Sequence, residues 1–280
     1  MKKVFTGLLL TSMFFVAFPA DAATTQIKID DVIVKSDTAP EQRSNRIMVP
    51  LRVISENLGA QVHWKDSQIT LAMNKTLIVL NLNNKTVMKN DKTEQLDVQP
   101  YMKNNRTYVP IRFIAETFGS QVQYNQGTVS ITSEPLLLDN KKIKALRYEY
   151  QMTMGGVIQD IKGNAYHKAL YQVFQQKGNK VEAPKEYSWQ INLDIPGSYS
   201  KRGQYRFMSD DTNTVKQFDI YSLNTAFPDE LLQGHPHHLL HDVFEDSWYI
   251  FTDQAVQSIK QLINNAATNG FSTIISNTVA

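Results

Sequence analysis

Apolar residues recur along this chain in two rhythms. Near residue 50, Leu51, Ile54 and Leu58 fall three and four apart with Val53 beside them, which predicts a short helix with one buried stripe. Pro50 suits the first helical position, where its missing N–H is not needed. Gly59 suits a left-handed helix stop. The period then drops to two. Val62 and Trp64 alternate with polar Gln61, His63 and Lys65, and after the turn "KDSQ" Ile69, Leu71 and Met73 alternate again. That pattern predicts a half-buried hairpin. Sixty residues on, the order returns: Ile111, Ile114 and Phe118, then Val122 and Tyr124, the turn "NQG", and Val129 and Ile131. "QIKIDDVIV" predicts a strand ahead of the first helix. "KTLIVLNLNNKTVMKN" predicts two strands around an Asn-Asn turn, with Ile78, Leu80 and Leu82 on one face.

Set at an offset of 60, residues 46–71 and 106–131 share nine identities in 26 positions without a gap. A match of that quality is a duplication. Among the recurring residues are Pro50, Arg52, Glu56 and Gly59, and their counterparts Pro110, Arg112, Glu116 and Gly119. Arg52 and Glu56 lie four apart on a helix, as do Arg112 and Glu116. Such pairs contribute only ~0.2–0.5 kcal/mol, and here the charges stand in the less favourable order. No nucleophile, base or metal ligand recurs with them, so they are read as a structural repeat motif rather than a binding site.

The stretches "RIMVPLRVISENLGAQVHWKD" and "RTYVPIRFIAETFGSQVQY" resemble the R-x-x-V-P-x-R-x-I-x-E-x-x-G-x-x-V-x-W/Y repeat of the copper amine oxidase N-terminal-like, or stalk, domain, a module of secreted and cell-wall proteins of Gram-positive bacteria. The resemblance covers about residues 26–133. It implies a non-catalytic extracytoplasmic α+β module. Nothing in the chain resembles the catalytic domain that carries copper in the oxidases. The lead-in to the first copy departs from the family pattern at Asp30-Asp31, where Asn-Gly is usual.

Beyond "SEPLLLDNKK" the repeat stops, so residues 134–142 are expected to be a linker and 143–280 a second domain. "ALRYEYQMTM" reads as a strand broken by Gly155-Gly156. "NAYHKALYQVFQQKG" reads as a helix with Ala165, Leu170, Val173 and Phe174 near one face. "EYSWQINLDI" alternates Tyr187, Trp189, Ile191, Leu193 and Ile195 as a strand, and "QYRFMSDDTNTVKQFDIYSL" reads as a hairpin. "SWYIF" is a short strand. "TDQAVQSIKQLINNAA" is a helix capped by Thr252 or Asp253, with Ala255, Ile259, Leu262 and Ile263 as its stripe. The expected fold class is therefore α+β throughout: duplicated helix plus β-hairpin units, then a second small α+β domain with antiparallel strands and two helices.

The first 22 residues stand apart. Lys2 and Lys3 precede the apolar run 5–18, and "PADAA" offers small residues at Ala20 and Ala22, the pattern of a secretory signal peptide cleaved near Ala22. The run is too short for a bilayer core of about 30 Å, which takes ~20 residues. The expected mature chain, 23–280, has no transmembrane segment and is secreted, extracellular or cell-wall associated. Without Lys2, Lys3 and Asp21, the 29 basic and 27 acidic residues become 27 and 26, which gives no electrostatic case for nucleic acid. The chain has no cysteine, so neither disulfides nor thiol chemistry are available.

Candidate chemistry concentrates in "GHPHHLLHD", where His235, His237, His238 and His241 lie within seven positions. On a helix, His237 and His241 would share a face at a spacing that suits a divalent metal. The glutamate of H-E-x-x-H is missing, and an exposed histidine-rich loop is the plainer reading. No G-x-S-x-G, phosphate loop or dinucleotide fingerprint is present. Tyr148, Tyr150, Tyr187, Trp189, Tyr199, Tyr205 and Tyr221 could form a stacking platform, or simply cover a sheet. The sequence therefore predicts a secreted, non-enzymatic envelope protein with no cofactor. Its C-terminal domain would bind a protein, a peptide or a cell-wall polymer. The alternative is a metal-dependent hydrolase, or a metal-binding or sensory protein, using the 235–241 histidines.

Overall fold

Tight turns made by short polar residues shape much of the chain. Asp30-Asp31, Ser44-Asn45, Asn90-Asp91, Asn104-Asn105 and Asp139-Asn140 all take positive φ at both positions. Paired left-handed residues match the twist of two-residue hairpins, and Asn and Asp tolerate that conformation better than most residues. The Asp30-Asp31 turn thus keeps the hairpin geometry without the usual glycine. The computed structural model describes residues 25–152, 154–210 and 212–279. The expected signal peptide, residues 1–22, lies outside the described residues.

The described residues form twenty-four strands in five sheets and five helices. The fold is β-rich, which corrects the α+β class expected from sequence. The repeat helices α1 (Leu51–Asn57) and α2 (Ile111–Thr117) are seven residues each, two turns. Their apolar stripe is real, since Leu51, Ile54, Ile111 and Ile114 are buried. Each stripe is nevertheless short, and strands outnumber helices around it. Nor are the repeats two separate helix-plus-hairpin units. The lead-in strands Arg46–Pro50 and Arg106–Pro110 pair antiparallel at the centre of one sheet, with Met48 opposite Pro110, Val49 opposite Val109 and Pro50 opposite Tyr108. Val109 is the repeat counterpart of Val49, so the register is symmetric about that pair. Helix α1 touches the second copy's lead-in strand, α2 touches the first copy's, and the two helices touch each other. The hairpins part company: 61–73 joins a five-stranded sheet, whereas 121–132 joins the strand Gln26–Ile29.

The second half is also richer in strand than expected. It is built on a nine-stranded sheet. Helices α3 (Asn164–Phe174) and α5 (Asp253–Asn269) cover one face, and a four-residue helix α4 (Asp229–Leu232) sits in a connection. Thr252 caps α5, its hydroxyl oxygen accepting from the Ala255 N–H at 3.1 Å. Phe174 of α3 stacks on Phe218 at 4.7 Å and meets Tyr205 at 5.1 Å, so Phe218 and Tyr205 define the inner face of the sheet.

One apolar core runs from Ile27 to Phe271 and includes residues of both halves. Polar contacts reinforce the seam. Asp30 accepts hydrogen bonds from Ser133 and from the backbone N–H of Asn164. Buried Asn57 of α1 accepts from the Tyr166 hydroxyl at 2.8 Å and from Asn269 at 3.1 Å. Gly163, at φ +90°, turns the chain into α3 so close to Phe271 that a Cβ would stand 2.7 Å from the ring.

Candidate binding site

Strand alternation carries every second side chain of the large sheet away from α3 and α5. Towards one end this outer face is charged. Arg147 grips Asp160 with two hydrogen bonds of 2.7 and 2.9 Å, Arg206 reaches Glu149 at 3.2 Å, and Lys201 donates to buried Asp219 at 2.6 Å. These are cross-strand neighbours held on a fixed ladder, with Arg147 opposite both Asp160 and Arg206. Towards the other end the face is aromatic. Tyr199, Tyr221, Leu223, Leu239 and Trp248 form a small core of their own. Tyr187 lies edge-on to both Tyr221 and Trp248.

A cleft of about 990 Å³ opens over the charged end. Its floor crosses four strands and includes Glu149, Gln151 and the Gly155-Gly156 backbone, and the 189–191 loop forms a wall. Trp189 lies over the Lys201 ammonium at 4.9 Å, which fixes the indole at the rim. Arg202 lines the cleft from an exposed position. The rim is unusually apolar for a solvated edge: Met152 is 56% and Ile191 52% exposed, with Met154 and Leu193 exposed nearby in sequence. The loop does not form the strand expected over 187–195. Only Tyr187–Ser188 pairs, because the Asn192 side chain accepts from the Asp194 N–H and turns the chain before Pro196. Its alternating Ile191, Leu193 and Ile195 therefore face solvent instead of a core. The loop is still anchored, since the Asn192 carbonyl accepts from Ser198 and from Asn224, both buried.

The four histidines do not occupy a helix. His238–Asp242 is a strand in the middle of the large sheet, and alternation turns His238 and His241 to opposite faces. His241 stacks on Trp248 at 4.4 Å on the outer face and approaches Asp246 at 3.2 Å. His235 packs against Gly197. His237 is exposed, 3.7 Å from Asp253. Among the described residues, no three His, Asp or Glu side chains are placed to hold one metal ion. The repeat residues lie on two helices. Arg52 and Glu56 are 3.6 Å apart and Arg112 and Glu116 3.5 Å, all largely exposed. Arg52 also lies over Trp64 at 4.3 Å, and partial desolvation, opposed by the Arg52 charge, raises the Glu56 pKa. Pro50 and Pro110 precede the helices, and Gly59 and Gly119 follow them at positive φ.

One arrangement was not visible in the sequence. Ser222 Oγ lies 2.8 Å from His238 Nδ1, and His238 Nε2 lies 3.0 Å from Asp253 Oδ1. Burial holds the imidazole pKa below its ordinary value, which favours the neutral ring such a chain needs. An acyl-transfer site also needs free N–H groups to receive the developing oxyanion. Here the next two backbone N–H groups are engaged: Leu223 donates to His237 and Asn224 to Ser198, both at 2.9 Å. Ser222 is also buried. The chain pins α5 to the sheet. The signal was the pairing of Ser222 with His238, which only the register supplies.

The class that fold and site define is a β-rich protein with a duplicated N-terminal module and a sheet face bearing an open cleft. Residues 28–133 match the family model for the copper amine oxidase N-terminal domain, and that segment is such a domain. Over 145 residues the chain is 24% identical to a protein of Brevibacillus choshinensis described as "Protease inhibitor". The match covers 48% of this chain and 44% of that protein, so the chain spans less than half the length of the curated relative. No helix among the described residues is long and apolar enough to cross a membrane.

Proposed function

We propose that this chain is a secreted, non-catalytic envelope protein that binds a protein partner through the cleft on the outer face of its C-terminal sheet. The copper amine oxidase N-terminal-like domain serves as the scaffold or attachment unit. The observation that carries the proposal is the rim. Met152 at a strand end and Ile191 on the loop tethered by Asn224 stand in solvent beside Trp189 and Arg202, with Leu193 exposed further along the same loop. Solvent-facing apolar residues beside an aromatic and an arginine make the composition of an interface hot spot. The described relative supports a protein, rather than a wall polymer, as the partner.

The test pairs two assays on the full secreted chain. Purified protein is titrated against subtilisin, chymotrypsin and trypsin, and is separately sedimented with purified peptidoglycan. Stoichiometric inhibition of an endopeptidase is expected, with little retention on the polymer. Trp189→Ala and Ile191→Asp should each weaken inhibition about tenfold or more, equivalent to ~1.4 kcal/mol, with thermal unfolding unchanged. Retention on peptidoglycan with no inhibition of any of the three proteases overturns the proposal.

A further inference from the structure

The loop 189–198 connects Tyr187–Ser188 to the strand Tyr199–Met208, and it is held at its stem and at its middle. The stem is a parallel pair, Tyr187 beside Tyr199 and Ser188 beside Ser200, closed by the Tyr199 N–H donating to the Glu186 carbonyl at 3.0 Å. In the middle, the Asn192 carbonyl accepts from the Ser198 hydroxyl at 3.1 Å and from the Asn224 side-chain amide, and both donors are buried. The Asn192 side chain in turn accepts from the Asp194 N–H at 2.9 Å. In a chain without cysteine these bonds take the place of a disulfide brace. What they leave outside is a row of apolar side chains. Ile191, Leu193 and Ile195 are 52%, 66% and 42% exposed, so Leu193 stands furthest out. Among the described residues no hydrogen bond engages the Leu193 carbonyl.

Building on the protein-binding reading of the cleft, on which this step rests, we propose that residues 190–195 enter the active-site cleft of an endopeptidase as a substrate-like segment. Leu193 fills the protease's primary specificity pocket, and the Leu193–Asp194 bond lies at its nucleophile. Such a protease takes exposed backbone together with one side chain in that pocket, and leucine suits an apolar pocket of the chymotrypsin kind. Neither lysine nor arginine lies between 190 and 195, so trypsin, whose pocket carries an aspartate, gains no partner there. The brace makes the bond easy to hold and hard to lose. Cleavage adds one water across it and leaves a carboxylate on Leu193 and an amine on Asp194. The amine keeps the Asn192 side chain as its acceptor, and Asn192 and Tyr199 anchor the chain on either side. The two ends therefore stay in place for the water to leave again and the bond to re-form. A loop already held in its bound shape also loses less conformational freedom on association. Trp189 and Arg202, in the cleft beside it, supply contacts away from the scissile bond.

The test is a change of specificity. The full secreted chain is titrated against chymotrypsin, subtilisin and trypsin, and any cut is located by mass spectrometry. The wild type should inhibit chymotrypsin and subtilisin but not trypsin, with slow cleavage confined to the Leu193–Asp194 bond. Leu193→Lys should inhibit chymotrypsin at least about tenfold more weakly and should newly inhibit trypsin, at an unchanged melting temperature. The same change at another exposed leucine, Leu137→Lys, should leave trypsin uninhibited. Asn224→Ala keeps the loop sequence but removes part of the brace. It should be cut at Leu193–Asp194 at least about tenfold faster, with no matching rise in cleavage elsewhere. Inhibition that Leu193→Lys leaves unchanged, or a first cut at a different bond, overturns this assignment and leaves the cleft reading standing. A wild-type chain that inhibits none of the three proteases overturns both.

Discussion

Asp30 shows how much one side chain can hold. It sits in a left-handed turn ahead of the first repeat, yet its carboxylate receives Ser133 from just before the connecting segment and the N–H of Asn164 from the start of α3. Removing it leaves these partly buried donors without their acceptor, at a cost of about 1–3 kcal/mol. Asp30→Ala should lower the urea unfolding midpoint accordingly, while Asp31→Ala, one residue away and exposed, should shift it far less. An equal loss in both variants would mean that the turn itself, and not the carboxylate, is what matters. In sequence Asp30 looked only like a departure from a family pattern. The spacing of 134 residues between Asp30 and Asn164 explains why its role could not be read there.

At the scale of elements, acid acts most strongly on two groups, His167 and Glu245. His167 of α3 is buried, with Nε2 hydrogen-bonded to the Ile161 carbonyl at 2.9 Å, and burial depresses its pKa from 6.5 to about 4. As pH falls through 6.5 the unfolded chain takes up a proton that the folded chain refuses until about 4, so stability declines across that window. Glu245 joins Lys177, Lys216 and Tyr249, and the Lys177 hydrogen bond chiefly holds its pKa down, from 4.5 to about 2. Its contribution is present above 4.5 and is lost as pH falls towards 2. Urea midpoints measured against pH should therefore fall in two successive limbs. His167→Gln should flatten the upper limb and Glu245→Gln the lower. A profile untouched by either substitution would refute the assignment.

The elements also show what kind of information a sequence carries. The stripe Leu51, Ile54 and Leu58 and the cap at Thr252 were legible because their causes are local: period, proline, glycine and a hydroxyl. The 187–195 segment kept a strand's alternation but contained an Asn that turns its own backbone. The histidine stretch allowed a helical spacing, and only the long-range pairing of 238–242 with 218–222 made it a strand. The cleft draws on residues from Glu149 to Thr278, and no periodicity announces a surface assembled over such separations.

At the scale of the molecule, the continuous core across residue 133 has a measurable consequence. The three tryptophans report from both halves: Trp64 from the first, Trp189 and Trp248 from the second. Variants that keep only Trp64, or only Trp248, should show unfolding midpoints in urea that coincide, because Asn57, Tyr166 and Asn269 share one buried network. Two separated midpoints would show that the halves melt independently.

The register of Val49 against Val109 carries one last implication. Each repeat supplies the surface on which its twin closes, so a lone copy would be half of a lock. An ancestral peptide with a single copy could have become complete only by meeting another molecule of itself. On that view, gene duplication turned an encounter between two chains into a fold within one.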